Sequence, residues 1–458
     1  MTEGEPMNII IVGCGKVGTC ILSCLLEEGH EIVAVDSSPN VIGEIANTFD
    51  CMCVCGSGTD CDVLEEAGVD RAELLVAATG SDELNMLTCY LAKGMGVSNT
   101  VARIRNPEYN HRNLEFLRQQ LDISLVINPD RLAALELYQI LELPAATKVE
   151  SFANRGFLMM ELPLREESQL CGEPLMELRK RFKRNFLLCA VRRGEAAMIP
   201  DGSFVPQPGD RIVLAAEPSE LQKLLRTLGL MKRQIKNVML LGASRTAYYL
   251  AQRLLKDGVS VKIIEKDHAR CQTFSELLPK ATVIHGDGAQ QEMLLEEGIG
   301  SMDAFVGLTG MDEENILMSY FAGRVGVGKT IAKVNRSQLD SIAASIGLDC
   351  VISSRIISSS LLTRYARALH NSRGSQMETL YRLLDGKVEA LEFVVRPDFA
   401  KLDVPLKEMR LKKGILIAAI IRGGKTIIPT GDDCISGDDH VVVVATGHAL
   451  KDLSNILA

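Results

Sequence analysis

The residues best suited to chemistry form a glycine-rich turn, Gly13-Cys14-Gly15-Lys16-Val17-Gly18, directly after the apolar run 9–12. This spacing between a strand and a helix brings free backbone N–H groups close to a pyrophosphate. Asp36 follows Gly18 by 18 residues, at the end of the next apolar run, where a carboxylate accepts the hydroxyls of a ribose. The combination predicts a nucleotide crevice, and Asp36 favours an unmodified ribose, so that NAD(H), ATP or ADP are preferred over NADP.

Most of the chain repeats at an offset near 230. Gly242 and Glu265 are separated by 23 residues, as are Gly13 and Asp36. In each copy strand and helix patterns alternate, which predicts parallel βαβ units. We therefore expect an α/β protein with two Rossmann-like, doubly wound parallel sheets, each followed by a small α+β domain. The expected domains are 7–143, 150–228, 235–370 and 377–458.

The second copy departs from the pattern at its turn, Gly242-Ala243-Ser244-Arg245-Thr246-Ala247, which keeps only the first glycine. Ser244 narrows the approach to a pyrophosphate, whereas Glu265 retains the carboxylate. Arg103 and Arg105 of the first copy become Lys333 and Asn335. We expect weaker, altered or absent nucleotide binding here, through Gly242, Ala243, Ser244, Arg245, Thr246 and Glu265 if it occurs.

The composition argues against several classes of protein. A formal net charge of −9 disfavours a nucleic-acid partner. The sequence lacks a signal-peptide pattern and any run of about 18 apolar residues, so we expect no membrane span. The 13 cysteines lack the regular spacing of a secreted disulfide framework, which fits reduced thiols in a cytosol. Cys51, Cys53 and Cys55 alternate along one strand, for which core packing is favoured over a metal site.

The order of domains closely resembles the Trk-type family of tandem RCK (KTN) regulators of potassium uptake. The resemblance covers the chain from Met7 onward. It is carried by the first glycine turn, by Asp36, and by residues 74–86 (LLVAATGSDELNM) and 101–109 (VARIRNPEY). It implies a regulatory subunit without catalytic residues, peripheral on the cytoplasmic face of the cell membrane through a TrkH-like potassium-translocating subunit. It also implies NAD(H) or ATP/ADP as regulatory ligands, and assembly into dimers or tetramers.

By the same resemblance, the backbone of Thr79 and Gly80 lines the adenosine, next to a helix capped by Ser81. Arg103 ends the fifth strand and is placed to reach the phosphates, with a salt bridge inside the dimer as the alternative. Lys16 either faces a triphosphate or is simply solvated.

Two other functions stay open at this point. An NAD-dependent oxidoreductase would use the small domains for its substrate, although the seven histidines share no motif with a nucleophile. A plain oligomerisation scaffold would have no affinity for nucleotides. For a sensor, Asp36→Ala is expected to abolish tight binding of NADH or ATP while the fold stays intact.

Overall fold

The structure is a computed structural model that describes residues 6–109, 111–152, 156–182, 186–230, 234–348, 350–371, 377–447, 450 and 452–458. The chain divides into two compact units. One comprises Met1–Leu135, Ser244–Leu250 and Ser353–Ala366, and the other comprises Glu136–Ala243, Ala251–Ile352 and Arg367–Ala458. In the described part of the chain, none of the helices has both the length and the hydropathy needed to cross a bilayer.

The first sheet has six parallel strands in the order β3-β2-β1-β4-β5-β6. Its central strands are apolar on both faces because helices cover both sides of such a sheet. The strands are β1 (Asn8–Val12), β2 (Glu31–Asp36), β3 (Met52–Cys55), β4 (Leu74–Ala77), β5 (Asn99–Arg103) and β6 (Leu125–Ile127). The helices are α1 (Lys16–Glu27), α2 (Pro39–Thr48), α3 (Cys61–Glu66), α4 (Asp82–Gly94), α5 (His111–Gln120) and α6 (Pro129–Glu142).

The second sheet repeats this order as β14-β13-β12-β15-β16-β17, again parallel throughout. Its strands are β12 (Asn237–Leu241), β13 (Ser260–Glu265), β14 (Thr282–His285), β15 (Ala304–Gly307), β16 (Lys329–Lys333) and β17 (Val351–Ile352). Its helices are α9 (Arg245–Lys256), α10 (His268–Leu277), α11 (Gln291–Glu296), α12 (Asp312–Arg324), α13 (Asp340–Ser345) and α14 (Ser354–Asn371). The strand order places a switch point beside the first strand of each sheet, between β1 and β4 and between β12 and β15.

Each small domain is a five-stranded antiparallel sheet, in the order β10-β9-β11-β8-β7 or β18-β19-β22-β20-β21. The elements of the first are β7 (Lys148–Phe152), β8 (Phe157–Pro163), α7 (Leu175–Phe182), β9 (Leu187–Arg193), β10 (Ala196–Met198), β11 (Arg211–Ala216) and α8 (Pro218–Thr227). The strands of the second are β18 (Met377–Leu383), β19 (Val388–Val394), β20 (Ile415–Arg422), β21 (Lys425–Ile427) and β22 (His440–Thr446).

The predicted fold class is thus confirmed, with two differences between the small domains. The helix α7 of the first corresponds to a 3₁₀ turn, Leu406–Glu408, in the second. The first ends in the helix α8, whereas the last helical turn of the second is a short 3₁₀ segment, Leu453–Ile456. Both domains contribute to one hydrophobic cluster, which includes Phe157 and Val213 from the first and Ala390 and Val442 from the second.

Candidate nucleotide-binding site

The first glycine turn is held tightly against the end of β4. Gly13 has φ +90°, and a Cβ there would lie 2.6 Å from the backbone nitrogen of Thr79. A Cβ at Gly18 would lie 1.9 Å from the carbonyl oxygen of Gly13. Neither position therefore accepts a side chain without moving the backbone.

Gly15, in contrast, faces open space. It is the N-cap residue of α1, no side chain caps this helix, and no heavy atom lies within 4 Å of the place a Cβ would occupy. Lys16 next to it is exposed. The N-terminus of α1 therefore presents backbone N–H groups and the positive end of the helix dipole to the crevice, an arrangement that binds anions.

Asp36 connects the turn to the next helix. Its Oδ2 accepts a hydrogen bond from the Cys14 backbone N–H at 2.8 Å, and its Oδ1 accepts one from the Ser38 backbone N–H at 2.9 Å. A carboxylate has about four lone-pair positions, so two acceptor positions stay available for the hydroxyls of a ribose. This bracing was not predicted from the sequence, and it means that Asp36→Ala releases two backbone amides as well as removing a predicted ligand group.

The side chain of Cys14, a residue predicted for the phosphate loop, is buried. The Cys14 thiol lies 3.9 Å from the carbonyl oxygen of Ile11 and 3.8 Å from that of Val35. Burial is the main cause that raises the pKa of this thiol to about 12, followed by the charge of Asp36. The side chain is a neutral core residue.

Asn85, which recurs as Asn315 at the offset of the repeat, holds the rim of the crevice together. It is fully buried, and its Oδ1 accepts hydrogen bonds from the backbone N–H and the hydroxyl of Thr79 at 2.8 and 2.7 Å. Its Nδ2 donates to the carbonyl oxygen of Arg103 at 2.8 Å. The ends of β4 and β5 are therefore fixed to each other by one side chain, while Gly80 has open space beside it.

Asp82 has a second function beside its place in the first turn of α4. Ser81 caps that helix, as predicted, by accepting from the Leu84 backbone N–H at 3.1 Å. The buried Oδ2 of Asp82 accepts hydrogen bonds from the backbone N–H groups of Arg105 and Asn106 at 2.9 and 2.7 Å. The carboxylate therefore shapes the segment that follows β5.

Arg103 carries a positive charge into this rim. Its Nη1 lies 3.4 Å from the Ala78 carbonyl and 3.3 Å from the Thr79 carbonyl, and its buried Nε has no hydrogen-bond partner. Burial lowers the Arg103 pKa to about 10, with a smaller contribution from Arg105, so the guanidinium stays charged at neutral pH. A phosphate is the type of group that would satisfy such a donor.

The predicted alternative for these arginines, a salt bridge within the dimer, involves a second chain and stays a prediction. Among the described residues Arg103 forms no ion pair, whereas the Nε of Arg105 lies 4.0 Å from an Asp82 oxygen and its Nη2 donates to the Gly80 carbonyl at 2.7 Å. Each arginine therefore donates to carbonyl groups of the rim and keeps a buried Nε without a hydrogen-bond partner, and Arg105 also lies near the Asp82 carboxylate.

The second copy keeps the bracing of the first. Gly242 has φ +96°, and Glu265 accepts hydrogen bonds from the Ala243 and Asp267 backbone N–H groups at 2.7 and 2.9 Å. Asn315 accepts from the Thr309 backbone N–H at 2.8 Å and donates to the Lys333 carbonyl at 2.9 Å. The same carboxylate and asparagine hydrogen bonds are therefore present in both copies.

The residues at the start of α9 differ in their contacts from those at the start of α1. The hydroxyl of Ser244 accepts from the Ala247 backbone N–H at 3.3 Å, so it occupies an amide at the start of α9. Thr246 is buried, and its hydroxyl donates to Asp130 at 2.9 Å. Arg245 is one of the charges that lower the pKa of Arg103. Ser244 and Thr246, two residues predicted for a second pocket, therefore already form hydrogen bonds with other groups of their own compact unit.

At the rim of the second copy, Asn335 is also occupied. Its backbone N–H donates to an Asp312 oxygen at 3.1 Å, and its side chain lies 3.5 Å from the other oxygen.

Among the described residues, no group of three or more His, Cys, Asp or Glu side chains is arranged to hold a metal ion.

Comparison with known proteins gives this geometry a context. The TrkA-N domain family matches residues 9–129 and 238–354, and the TrkA-C domain family matches residues 159–229 and 391–458. The Trk system potassium uptake protein TrkA of Haemophilus influenzae is 30% identical over 445 residues, which cover 95% of each chain. The chain belongs to the TrkA family. TrkA homolog 1 of Methanosarcina mazei is 29% identical and covers 98% of this chain and 99% of its own.

Solved structures support the TrkA family fold. The GsuK channel bound to NAD aligns with a TM-score of 0.64 at 18% identity, over 98% of this chain and 78% of the channel chain. The GsuK RCK domain aligns with a TM-score of 0.63, also at 18% identity, over 98% of this chain and 94% of its own. The TrkA relatives are named as potassium uptake proteins and not as enzymes, in agreement with the expectation that the chain is a regulator.

Proposed function

We propose that the chain is a nucleotide-sensing regulatory subunit of a Trk-type potassium uptake system. In this proposal NAD(H) or ATP/ADP binds the first crevice, and the bound state sets the flux through a TrkH-like membrane subunit. The chain acts at the cytoplasmic face of the membrane, held there by that partner. The observation that carries the proposal is the half-buried, charged Arg103, whose buried Nε has no hydrogen-bond partner, on the rim of a crevice whose α1 N-terminus is open.

The roles of the residues follow from the contacts described above. The amides at Gly15, Lys16 and Val17 hold phosphate oxygens, because no side chain caps α1. The free lone pairs of Asp36 accept from the ribose, and the backbone of Thr79 and Gly80 lines the adenosine. Gly18 serves the site indirectly, since its missing side chain lets α1 approach the turn.

The related proteins supply further support. Two relatives that match nearly the whole chain are named as potassium uptake proteins. GsuK structures that share the fold are titled as bound to NAD and to ADP. Both ligands contain an adenosine and a pyrophosphate, which are the groups that Asp36 and the α1 N-terminus are suited to bind.

Regulation requires that the nucleotide binds one arrangement of the protein more tightly than another. A ligand that reverses a 1:99 equilibrium must discriminate between the two states by about 5.5 kcal/mol. The groups of the crevice are well placed to supply such a difference, because Asp36, Asn85 and Asp82 link separate segments of the first domain to one another through backbone hydrogen bonds. A homo-oligomer, dimer or tetramer, would multiply the effect.

The test is a potassium flux assay with the full chain and a co-purifying membrane subunit in liposomes. Flux is measured with NAD, NADH, ATP and ADP in turn, for the wild type and for Gly15→Ser. We expect at least one nucleotide to change the flux of the wild type and to have a much weaker effect on the variant. Equal flux under all conditions, with the chain bound to its partner, would contradict the proposal.

A further inference from the structure

Two cysteines outside the crevice lie one turn apart on α1. Cys20 and Cys24 are both half-buried, and they face the first part of α14, within the same compact unit. The Cys20 Sγ lies 3.6 Å from the hydroxyl oxygen of Ser359. Ser359 is buried, and its hydroxyl also lies 3.1 Å from the Ile356 carbonyl. The pair therefore sits in a small polar contact between two helices.

The surroundings of the pair favour one ionised sulfur. A hydrogen bond from Cys24 is the main cause that lowers the pKa of Cys20, and burial acts in the opposite direction. Ser359 and the positive charge of Arg355 lower it further, while Glu27 raises it. The pKa of Cys24 is raised, chiefly because it shares that hydrogen bond. The thiolate is the nucleophilic form of a cysteine.

We propose that Cys20 and Cys24 form a modification site at which a hydroperoxide oxidises Cys20, Cys24 closes a disulfide, and the oxidised α1 binds nucleotide more weakly. The last part of this proposal rests on the nucleotide site proposed above. The chemistry at the two sulfurs does not.

The reaction balances in two steps. The Cys20 thiolate attacks one peroxide oxygen, the O–O bond breaks, and the departing oxygen takes a proton to leave as an alcohol or as water. The Cys24 sulfur then attacks the Cys20 sulfenic sulfur, the S–O bond breaks, and hydroxide leaves as water with the Cys24 proton. The two sulfurs together lose two electrons and the peroxide gains two.

Closing this disulfide changes the helix. Residues four apart on a regular helix have Cβ atoms about 5–6 Å apart, whereas a disulfide needs about 3.5–4.5 Å. The second turn of α1 must therefore leave regular geometry. The first turn, which begins at Lys16 and presents its amides to the crevice, is directly attached to it.

The repeat provides an internal contrast. At the offset of the second glycine turn, the positions of Cys20 and Cys24 are occupied by Tyr249 and Arg253. The proposed modification therefore belongs to the first copy alone, the copy that has the open turn. Cys55 and Cys61 are more exposed than Cys20, which makes them suitable internal controls for simple accessibility.

The test treats the reduced full-length protein with rising hydrogen peroxide and locates oxidation by peptide mass spectrometry. We expect the Cys20–Cys24 disulfide before any oxidation of Cys55 or Cys61, and an ADP affinity that falls about tenfold, equivalent to about 1.4 kcal/mol. Cys24→Ser should stop at a Cys20 sulfenic acid that dimedone traps, with ADP affinity retained. Cys61→Ser should behave as the wild type.

Two results would overturn this proposal: oxidation of Cys55 and Cys61 while Cys20 stays reduced, or a complete Cys20–Cys24 disulfide with unchanged ADP affinity. A reduced protein that binds no nucleotide would instead refute the proposed function. In that case the mass spectrum still decides whether the two thiols react together.

Discussion

The two glycine turns of this chain are braced by the same hydrogen bonds, but they differ in the residues that face the crevice. In both, a carboxylate after the second strand, Asp36 or Glu265, accepts two backbone N–H groups. In both, a buried asparagine, Asn85 or Asn315, joins the fourth and fifth strands. The residues that hold the fold are therefore retained in both copies, while those that face the crevice differ.

The difference is concentrated at the start of the helix. Gly15 leaves the N-terminus of α1 open, whereas the hydroxyl of Ser244 accepts from an amide of α9. Thr246 is buried against Asp130. A carboxylate and a first glycine are thus insufficient signs of a nucleotide site, because both also serve the fold.

The largest effect is expected from the shared frame. Asn85→Ala and Asn315→Ala each leave several buried backbone groups without partners, so each should lower the free energy of unfolding of its domain by about 3 kcal/mol. Only Asn85→Ala should also reduce nucleotide affinity. Urea unfolding and calorimetry on both variants check this, and an equal loss of binding in the two would remove the distinction between the copies.

Exchanging Gly15 and Ser244 tests directly whether the open start of the helix determines nucleotide binding. Gly15→Ser should weaken nucleotide binding about tenfold to a hundredfold, since one charge-assisted amide contact contributes about 1.5–3 kcal/mol. Stability should hardly change, because no atom lies within 4 Å of the new Cβ. The matched variant Ser244→Gly should not create a tight second site, because Thr246 stays buried in its hydrogen bond with Asp130. Isothermal titration calorimetry measures both.

A smaller effect is expected for the rim charge. Arg103→Gln should weaken ADP binding about tenfold, as expected for a lost charge-assisted hydrogen bond. Lys333 stands at the corresponding position of the second copy. Lys333→Arg, which places an arginine there, should have no effect on binding. If Arg103→Gln binds ADP like the wild type while its melting temperature drops, the arginine serves the fold and not the ligand.

The smallest effect is expected for Lys16, which is exposed. Exposed ion pairs typically contribute about 0–1 kcal/mol, so Lys16→Ala should change ATP affinity by no more than about fivefold and ADP affinity by less. Competition binding at low and high salt separates the two ligands. A hundredfold loss for ATP alone would show that Lys16 contacts the third phosphate directly.

The sequence predicted the elements that follow from periodicity and repetition, and these include the two parallel sheets and the turn at residues 13–18. It did not predict the bracing by Asp36 or the second function of Asp82, because a hydrogen bond between distant segments leaves no local pattern. Asn85 had a usable signal, its recurrence as Asn315 at the offset of the repeat. The contact of Thr246 with Asp130 depends on tertiary structure, which no spacing within the turn reports.

The most direct test of the asymmetry is the number of nucleotides that one chain binds. Calorimetric titration of the full chain with ADP or NADH should give one tight site per chain, which Gly15→Ser weakens and Ser244→Gly leaves unchanged. Two equivalent sites per chain, or a single site that survives Gly15→Ser at full affinity, would contradict this account.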